Sequence, residues 1–225
     1  MNRPLTKASR SCSTLVLVRH AHTDMAGTFC GQSDPPLSPQ GIAQLADLNE
    51  RLKPYSVTHI FSSDLQRARQ TSEFIAQCRG LEVELVESLR EVGFGEWEGL
   101  SWEQVMAREP EYGQQWIDLF PALPAPGGEA FGHFTLRIQD AMTAIADAAP
   151  DGCAVAVTHG GVIRTFLEDV ARKSGAVLDL TKCDYASCWE VSRQVGQWHL
   201  PQTGPSGGAS VCAEASSAKI GRTVL

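Results

Sequence analysis

Residues 15–24 read LVLVRHAHTD: four apolar residues, then an arginine and a histidine in direct succession, with His22 and Asp24 close behind. Thr14 to Val18 is short, continuous and rich in β-branched side chains, which is the composition of a strand buried on both faces of a parallel sheet. His59 to Ser62 and Ala154 to Val157 have the same character. Helical patterns lie between these runs. Ser38 is placed to cap a helix extending to Lys53, with Pro39 in the first position and Ile42, Leu45 and Leu52 expected near one apolar face. Asp64 is expected to open a second helix, along which Leu65, Ala68, Ser72 and Ile75 recur at helical spacing. Two more are expected from about Phe131 to Ala149 and from Gly161 to about Lys173. Strands alternating with helices predict an α/β fold, a three-layer α/β/α sandwich with a mostly parallel central sheet.

In such sheets ligands collect beyond the carboxyl ends of the strands. Arg19-His20, Ser62-Ser63-Asp64 and Thr158-His159-Gly160-Gly161 each follow one of the three apolar runs, so they are expected at one end of the sheet. Residues 101–126 read as an inserted helical and loop region, closed by PALPAPGG, and the lid it contributes to is expected over about 97–128. Residues 14–200 are expected to form the domain, preceded by an arm (1–13). The tail, 201–225, is expected to be flexible because it is rich in Gly, Ser and Ala and poor in large apolar residues.

A single chain of 225 residues buries roughly 70% of its unfolded surface, enough for a core without staples. The net charge of −7 argues against nucleic acid as a partner, because phosphate backbones are bound by clustered positive charge. It does not prevent a local positive pocket for a small anion. Seven scattered cysteines with no C-x-x-C pair read as thiols in a reducing cytosol. No secretory or membrane-spanning apolar run is found, so the expected location is cytoplasmic, with no membrane partner. The sequence leaves the oligomeric state open, a homodimer included.

Two chemistries fit Arg19-His20-x-His22-x-Asp24. One is a metal site, with three ligands spaced along an extended segment. The other is a nucleophile at a strand end, beside an arginine that holds an anion. The metal reading is the weaker. A guanidinium opposes a cation, and Asp24 is followed by Met25 where binuclear metallohydrolases continue with histidine. The anion reading gains support from Arg67 and Arg69, at the start of a helix that follows a strand, and from His159 ahead of two glycines.

The ordered set LVLVRHAHTD, GQSDPPLSPQG, IFSSDLQRARQT, ESLREVGFGEWEGLSWEQV and VAVTHGGVIR resembles the histidine phosphatase (phosphoglycerate mutase-like) superfamily over about residues 14–200. GFGEWEGLSWEQV, Trp116 and PGGEAFGHFTLRI look most like its α-ribazole phosphatase branch, which serves cobalamin biosynthesis. The resemblance implies a metal-independent phosphomonoesterase without a cofactor, acting on a small phosphomonoester through a phosphohistidine. His20 matches the nucleophile. Arg19 and Arg67 match the arginines that grip the phosphoryl oxygens, His159 the second histidine of the pocket, and Glu91 the proton donor. Thr23 and Gly160 are expected beside the substrate, and Arg69 on the helix surface or in a salt bridge.

Two positions depart from the family pattern. Ala21 replaces the usual glycine after the nucleophile, and Ala26 stands where mutases and many broad phosphatases carry a substrate-contacting asparagine. A mutase and a broad-specificity sugar or nucleotide phosphatase are the alternative enzymes. Only 68 positions separate Glu91 from His159, however, shorter than the insert usual in the mutases. A non-catalytic relative is disfavoured, because all five core residues are kept. Trp97 and Trp102 read first as lid packing and second as stacking partners of an aromatic substrate. His22 is at least as well explained by a structural role.

Overall fold

The computed structural model describes residues 12–201, apart from the side chains of Cys12 and Lys182. The expected arm and tail therefore fall almost wholly outside the described residues. Six strands form one sheet: β1 (Cys12–Arg19), β2 (Val57–Ser62), β3 (Val83–Leu85), β4 (Cys153–Thr158), β5 (Cys188–Gln194) and β6 (Gln197–His199), in the order β3-β2-β4-β1-β5-β6. The first four run parallel, and β5 and β6 add an antiparallel edge. The helices are α1 (Pro39–Arg51), α2 (Gln66–Gln77), α3 (Trp102–Arg108), α4 (Pro110–Leu119), α5 (Phe131–Ala148) and α6 (Gly160–Ser174). The α/β fold with a mostly parallel sheet is as the sequence predicts.

Strand β1 shows why three layers form. Leu15 and Leu17 face a core shared with α5 and α6, while Val16 and Val18 face a second core shared with α1 and α2. All four side chains are fully buried, since alternate residues of a central strand point to opposite faces and both are covered. At about 1.5–3 kcal/mol for each large aliphatic side chain taken out of water, this strand anchors both layers.

Three local expectations need correction. Ile42 is not on the buried face of α1, being 61% exposed. The buried stripe is Gly41, Leu45, Leu48 and Leu52, spaced by four, three and four, and Ile42 lies one residue, about 100°, off it. Asp64 does not open α2, which starts at Gln66 after the extended Leu65; the Asp64 carboxylate is held instead by both ends of the Arg90 fork. Strand β1 starts at Cys12, two residues ahead of the expected domain boundary. The Ser38 cap stands as expected, accepting from the Gly41 amide at 3.1 Å, with Pro39 at the head of the helix.

The edge hairpin is a device the sequence does not announce. Gln194 pairs with Gln197, which leaves a two-residue loop in which Val195 and Gly196 both have positive φ (50° and 76°). That is the sign pattern of a tight turn matched to right-handed strand twist, here with a β-branched residue in a position that favours Asn or Gly.

Candidate functional site

The three expected strand ends meet because β4 lies between β1 and β2. Arg19 is in register with Thr158, and Ser62 with Val157, so His20, Ser63 and His159 emerge side by side. His20 is 5% exposed and His159 is fully buried, with ring centroids 5.1 Å apart. The open end above them is a cavity of about 410 Å³, lined by Arg19, His20, Thr23, Arg67, Glu91, Gly160 and Tyr185 at its polar end.

Hydrogen bonding fixes the tautomer of His20. Its Nδ1 lies 2.7 Å from the carbonyl oxygen of Ala21, which can only accept, so Nδ1 carries the proton and donates. The lone pair is then on Nε2, where it accepts from Arg67 Nε at 3.2 Å. Burial first, then the Arg67 and Arg19 guanidinium groups, hold the His20 pKa well below its usual 6.5. The bond to the Ala21 carbonyl pulls the other way and is outweighed. His159 is lowered for the same first reason, with Arg67, His20 and Arg19 adding to it. Both imidazoles are therefore neutral near pH 7, and His20 presents an unprotonated nitrogen.

Arg67, 1% exposed, is locked in place from the first turn of α2. Its Nη1 donates to the Ser33 carbonyl at 2.6 Å and its Nη2 to the Gly31 carbonyl at 2.7 Å. The Thr71 hydroxyl accepts from the Ala21 amide and donates to the Arg67 carbonyl, which ties the helix to the loop that carries the nucleophile. Arg19 donates to the Cys183 carbonyl at 2.6 Å and stands over the Tyr185 ring, its guanidinium carbon 3.9 Å from the ring centroid, while its buried Nε has no hydrogen-bond partner among the described residues. The Arg19 side chain lines the cavity floor.

Glu91 reaches the same floor from the opposite side. Its Oε2 accepts from the Gly161 amide at 2.8 Å, and its Oε1 from the Val92 amide at 3.1 Å. A Cβ at position 161 would stand 2.4 Å from Glu91 Oε1, so only glycine lets the carboxylate sit against the start of α6. Arg137 clamps the backbone of this segment, donating to the carbonyls of Ser88, Arg90 and Glu91 while its fork grips Glu129.

The cluster brings together Arg19, His20, Arg67, Glu91, His159, Thr23 and Gly160. Arg69 stays outside, paired with Glu73 one turn along α2. His22, Asp24 and His20 do not converge: His22 Nδ1 lies 2.8 Å from the Ser38 hydroxyl, its ring meets Tyr185 edge-on, and Asp24 is exposed. Trp97 is fully buried inside a lid cluster with Phe29, Val105 and Trp116, and neither Trp97 nor Trp102 lines the cavity. The aromatic wall is made instead by Phe29, Phe94, Trp116, Phe120, Phe131 and Phe134.

Sequence reasoning missed Tyr185, which packs on Arg19 and His20, and Ser63 as the partner of His159 at 2.9 Å. Tyr185 sits in an irregular loop with no motif to mark it. Ser63 had a usable signal in its place at a strand end.

Comparison with known proteins agrees with this geometry. The family model "Histidine phosphatase superfamily (branch 1)" matches residues 15–204. A metal-independent phosphoserine phosphatase of Arabidopsis thaliana is 34% identical over 175 residues, covering 76% of this chain and 74% of that protein. A "Probable phosphoglycerate mutase GpmB" of Cronobacter sakazakii is 34% identical over 146 residues, 64% of this chain and 68% of that protein. The crystal structure of the α-ribazole phosphatase from Shigella flexneri superposes with a TM-score of 0.72 at 22% identity, covering 84% of this chain and 94% of that one, and so shares the fold. Family and fold thus coincide with a neutral, oriented histidine between two arginines: the chain belongs to branch 1 of the histidine phosphatase superfamily and is a phosphatase.

Proposed function

We propose that the chain hydrolyses α-ribazole 5′-phosphate without a metal, through a phosphohistidine at His20. The observation that carries the chemistry is the His20 tautomer. Nδ1–H is committed to the Ala21 carbonyl, so Nε2 is the attacking nitrogen, and it faces the cavity. Substrate phosphate displaces the 3.2 Å contact from Arg67 Nε and takes that donor together with the Arg19 guanidinium. Two guanidinium groups then supply the positive charge that the equatorial oxygens need as the bond to the leaving oxygen lengthens. In this scheme Glu91 protonates the departing alkoxide, then takes a proton from the water that attacks the phosphohistidine. His159, Thr23 and the backbone at Gly160 complete the phosphate cradle.

The substrate choice rests on the rest of the cavity. Beyond the phosphate end its walls are largely apolar and include several aromatic side chains, which suits a flat apolar base such as dimethylbenzimidazole and leaves a serine or glycerate skeleton largely uncovered. Charge points the same way. Once Arg19 and Arg67 are taken by phosphate, Glu129 by Arg137 and Glu91 by its proton-transfer role, the lining sets Glu168 against Arg164. A neutral leaving alcohol fits that balance better than one bearing a carboxylate. The likeness to a mutase adds a competitor, for which 3-phosphoglycerate is the diagnostic substrate.

The test is kcat/KM in EDTA for α-ribazole 5′-phosphate, O-phosphoserine, 3-phosphoglycerate and an aryl phosphate. A preference for the first by about two orders of magnitude or more is expected, the scale on which a well-matched apolar pocket discriminates. Equal or better turnover of phosphoserine, or loss of activity in EDTA with recovery on adding zinc, overturns the reading.

A further inference from the structure

Helix α6 carries a polar stripe along the cavity that the phosphate chemistry does not use. Gly160 and Gly161 lie at the phosphate end, Arg164 and Thr165 one turn farther out, and Glu168 one turn beyond them, all lining the cavity. Each turn advances about 5.4 Å, and side chains on a helix lean toward its N-terminus. Both side chains therefore reach back toward the phosphate end, with Glu168 one turn farther out, where desolvation pushes its pKa up and the Arg164 charge opposes that push. The aromatic residues stand on other elements around the same space.

Arg164 is distinguished by what it lacks. It lines the cavity while its guanidinium makes no hydrogen bond or ion pair with the described residues, and its Nε is closed off from solvent. A guanidinium carries five donors, so those on its outer nitrogens remain for an acceptor in the cavity. Arg164 stands one helical turn from the phosphate end, at the level of the leaving group. Arg164 and Glu168 together are neutral and offer donors and acceptors one helical turn apart along the same cavity wall. A vicinal diol, each hydroxyl of which both donates and accepts, matches such a pair. A carboxylate would meet Glu168 as well as Arg164 and lose much of the attraction.

We propose that Arg164 and Glu168 form a second polar subsite that reads the ribose 2′,3′-diol of a ribosyl 5′-phosphate, making them specificity-determining residues of this phosphatase. The inference rests on the function proposed above and narrows it. The sugar is held by α6, and the base is left to the aromatic wall.

The experiment measures kcat/KM of the intact chain and of its R164M and E168Q variants. The substrates are a ribonucleoside 5′-phosphate (α-ribazole 5′-phosphate and AMP in parallel), 2′,3′-dideoxy-AMP, O-phosphoserine and an aryl phosphate. In the wild type the ribose form is expected to exceed the dideoxy form by about tenfold to a hundredfold, the range of a charge-assisted hydrogen bond. Both variants are expected to lose that preference while keeping aryl phosphate turnover within about threefold, since the phosphate cradle is untouched. A preserved ribose-to-dideoxy ratio in both variants overturns the subsite. So does an equal loss on every substrate, and so does a loss in R164M confined to phosphoserine, which would make Arg164 a carboxylate reader. If AMP shows the diol preference and α-ribazole 5′-phosphate is not a substrate, the subsite is supported and the choice of base alone fails.

Discussion

The two ends of the cavity are built by different means. At the phosphate end every side chain is positioned by a hydrogen bond to the backbone or by a neighbouring strand end. His20 is held by the Ala21 carbonyl, Arg67 by Gly31 and Ser33, Arg19 by Cys183, and Glu91 by Gly161. At the lid end the aromatic residues hold one another. Phe29, Trp97, Trp102, Trp116 and Phe120 form a chain of edge-on and tilted contacts with ring centroids 5.4–6.3 Å apart. Backbone-held groups are fixed to fractions of an ångström, as in-line attack at phosphorus requires. Rings held by other rings can repack, as a changing leaving group allows. Chemistry is thus placed at the sheet ends, and the choice of base is left to the aromatic wall.

The largest expected effect breaks the first half of that contrast. His20→Ala should lower kcat by about 10⁴-fold or more, since no neighbouring group can take over the attack. Arg67→Lys keeps the charge but loses the fork. It should cost about 10²–10³-fold in kcat/KM, the scale of losing an oxyanion donor, and lower the urea midpoint as well, because the Gly31 and Ser33 carbonyls lose their partner. Steady-state kinetics and urea unfolding check both.

A smaller effect comes through Glu91. Gly161→Ala drives a Cβ into its carboxylate and should lower kcat about tenfold to a hundredfold with little change in stability, measured as kcat against thermal midpoint. A fall in midpoint without a fall in kcat would mean that the close approach of Gly161 to Glu91 is packing alone.

The lid half is sharpened by a pair of variants. Trp116→Leu should raise KM for a substrate with an aromatic base several-fold and leave kcat for an aryl phosphate near wild type. Trp97→Phe should do neither, and should cost only about 1 kcal/mol of stability, because the lost packing volume is partly offset by removing a buried N–H that has no partner among the described residues.

Acidity affects the two ends unequally, because the lowered histidines are both at the phosphate end. His20 and His159 take up protons more readily unfolded, near pH 6.5, than folded. Between that value and their lowered native pKa values the unfolded state binds more protons, so stability falls as pH falls below about 6.5. Urea midpoints measured from pH 7.5 to 5 should decline, and less steeply in His159→Gln.

How much of this the sequence carried depends on which physical signal was local. The three buried strand ends could be read because β-branched runs of four or five residues end abruptly in charged or polar residues, and the motifs they carry fall at the strand ends by geometry. The α1 cap was legible for the same reason, since Ser38-Pro39 acts on the next three residues. Ile42 is apolar without being buried; the contact is made by Gly41, whose missing side chain lets α1 approach the His22 backbone, since a Cβ there would lie 2.1 Å from the His22 carbonyl oxygen. Strands β5 and β6 escaped because their turn uses Val195 at positive φ, which no turn propensity flags. Tyr185 and the Arg164–Glu168 stripe escaped because only the closed sheet and the seated α6 bring them to the cavity. Trp97 and Trp116 look alike in sequence, and the fold alone decides that one is core and the other wall.

The central claim is that Nε2 of His20 takes the phosphoryl group. Rapid-quench of the wild-type enzyme with labelled substrate, followed by peptide mapping under alkaline conditions, tests it directly. The expected result is a phosphohistidine on His20, substituted at Nε2 and absent in His20→Ala. Label on Nδ1, label on His159, or turnover with no phosphoenzyme at any time point would contradict it.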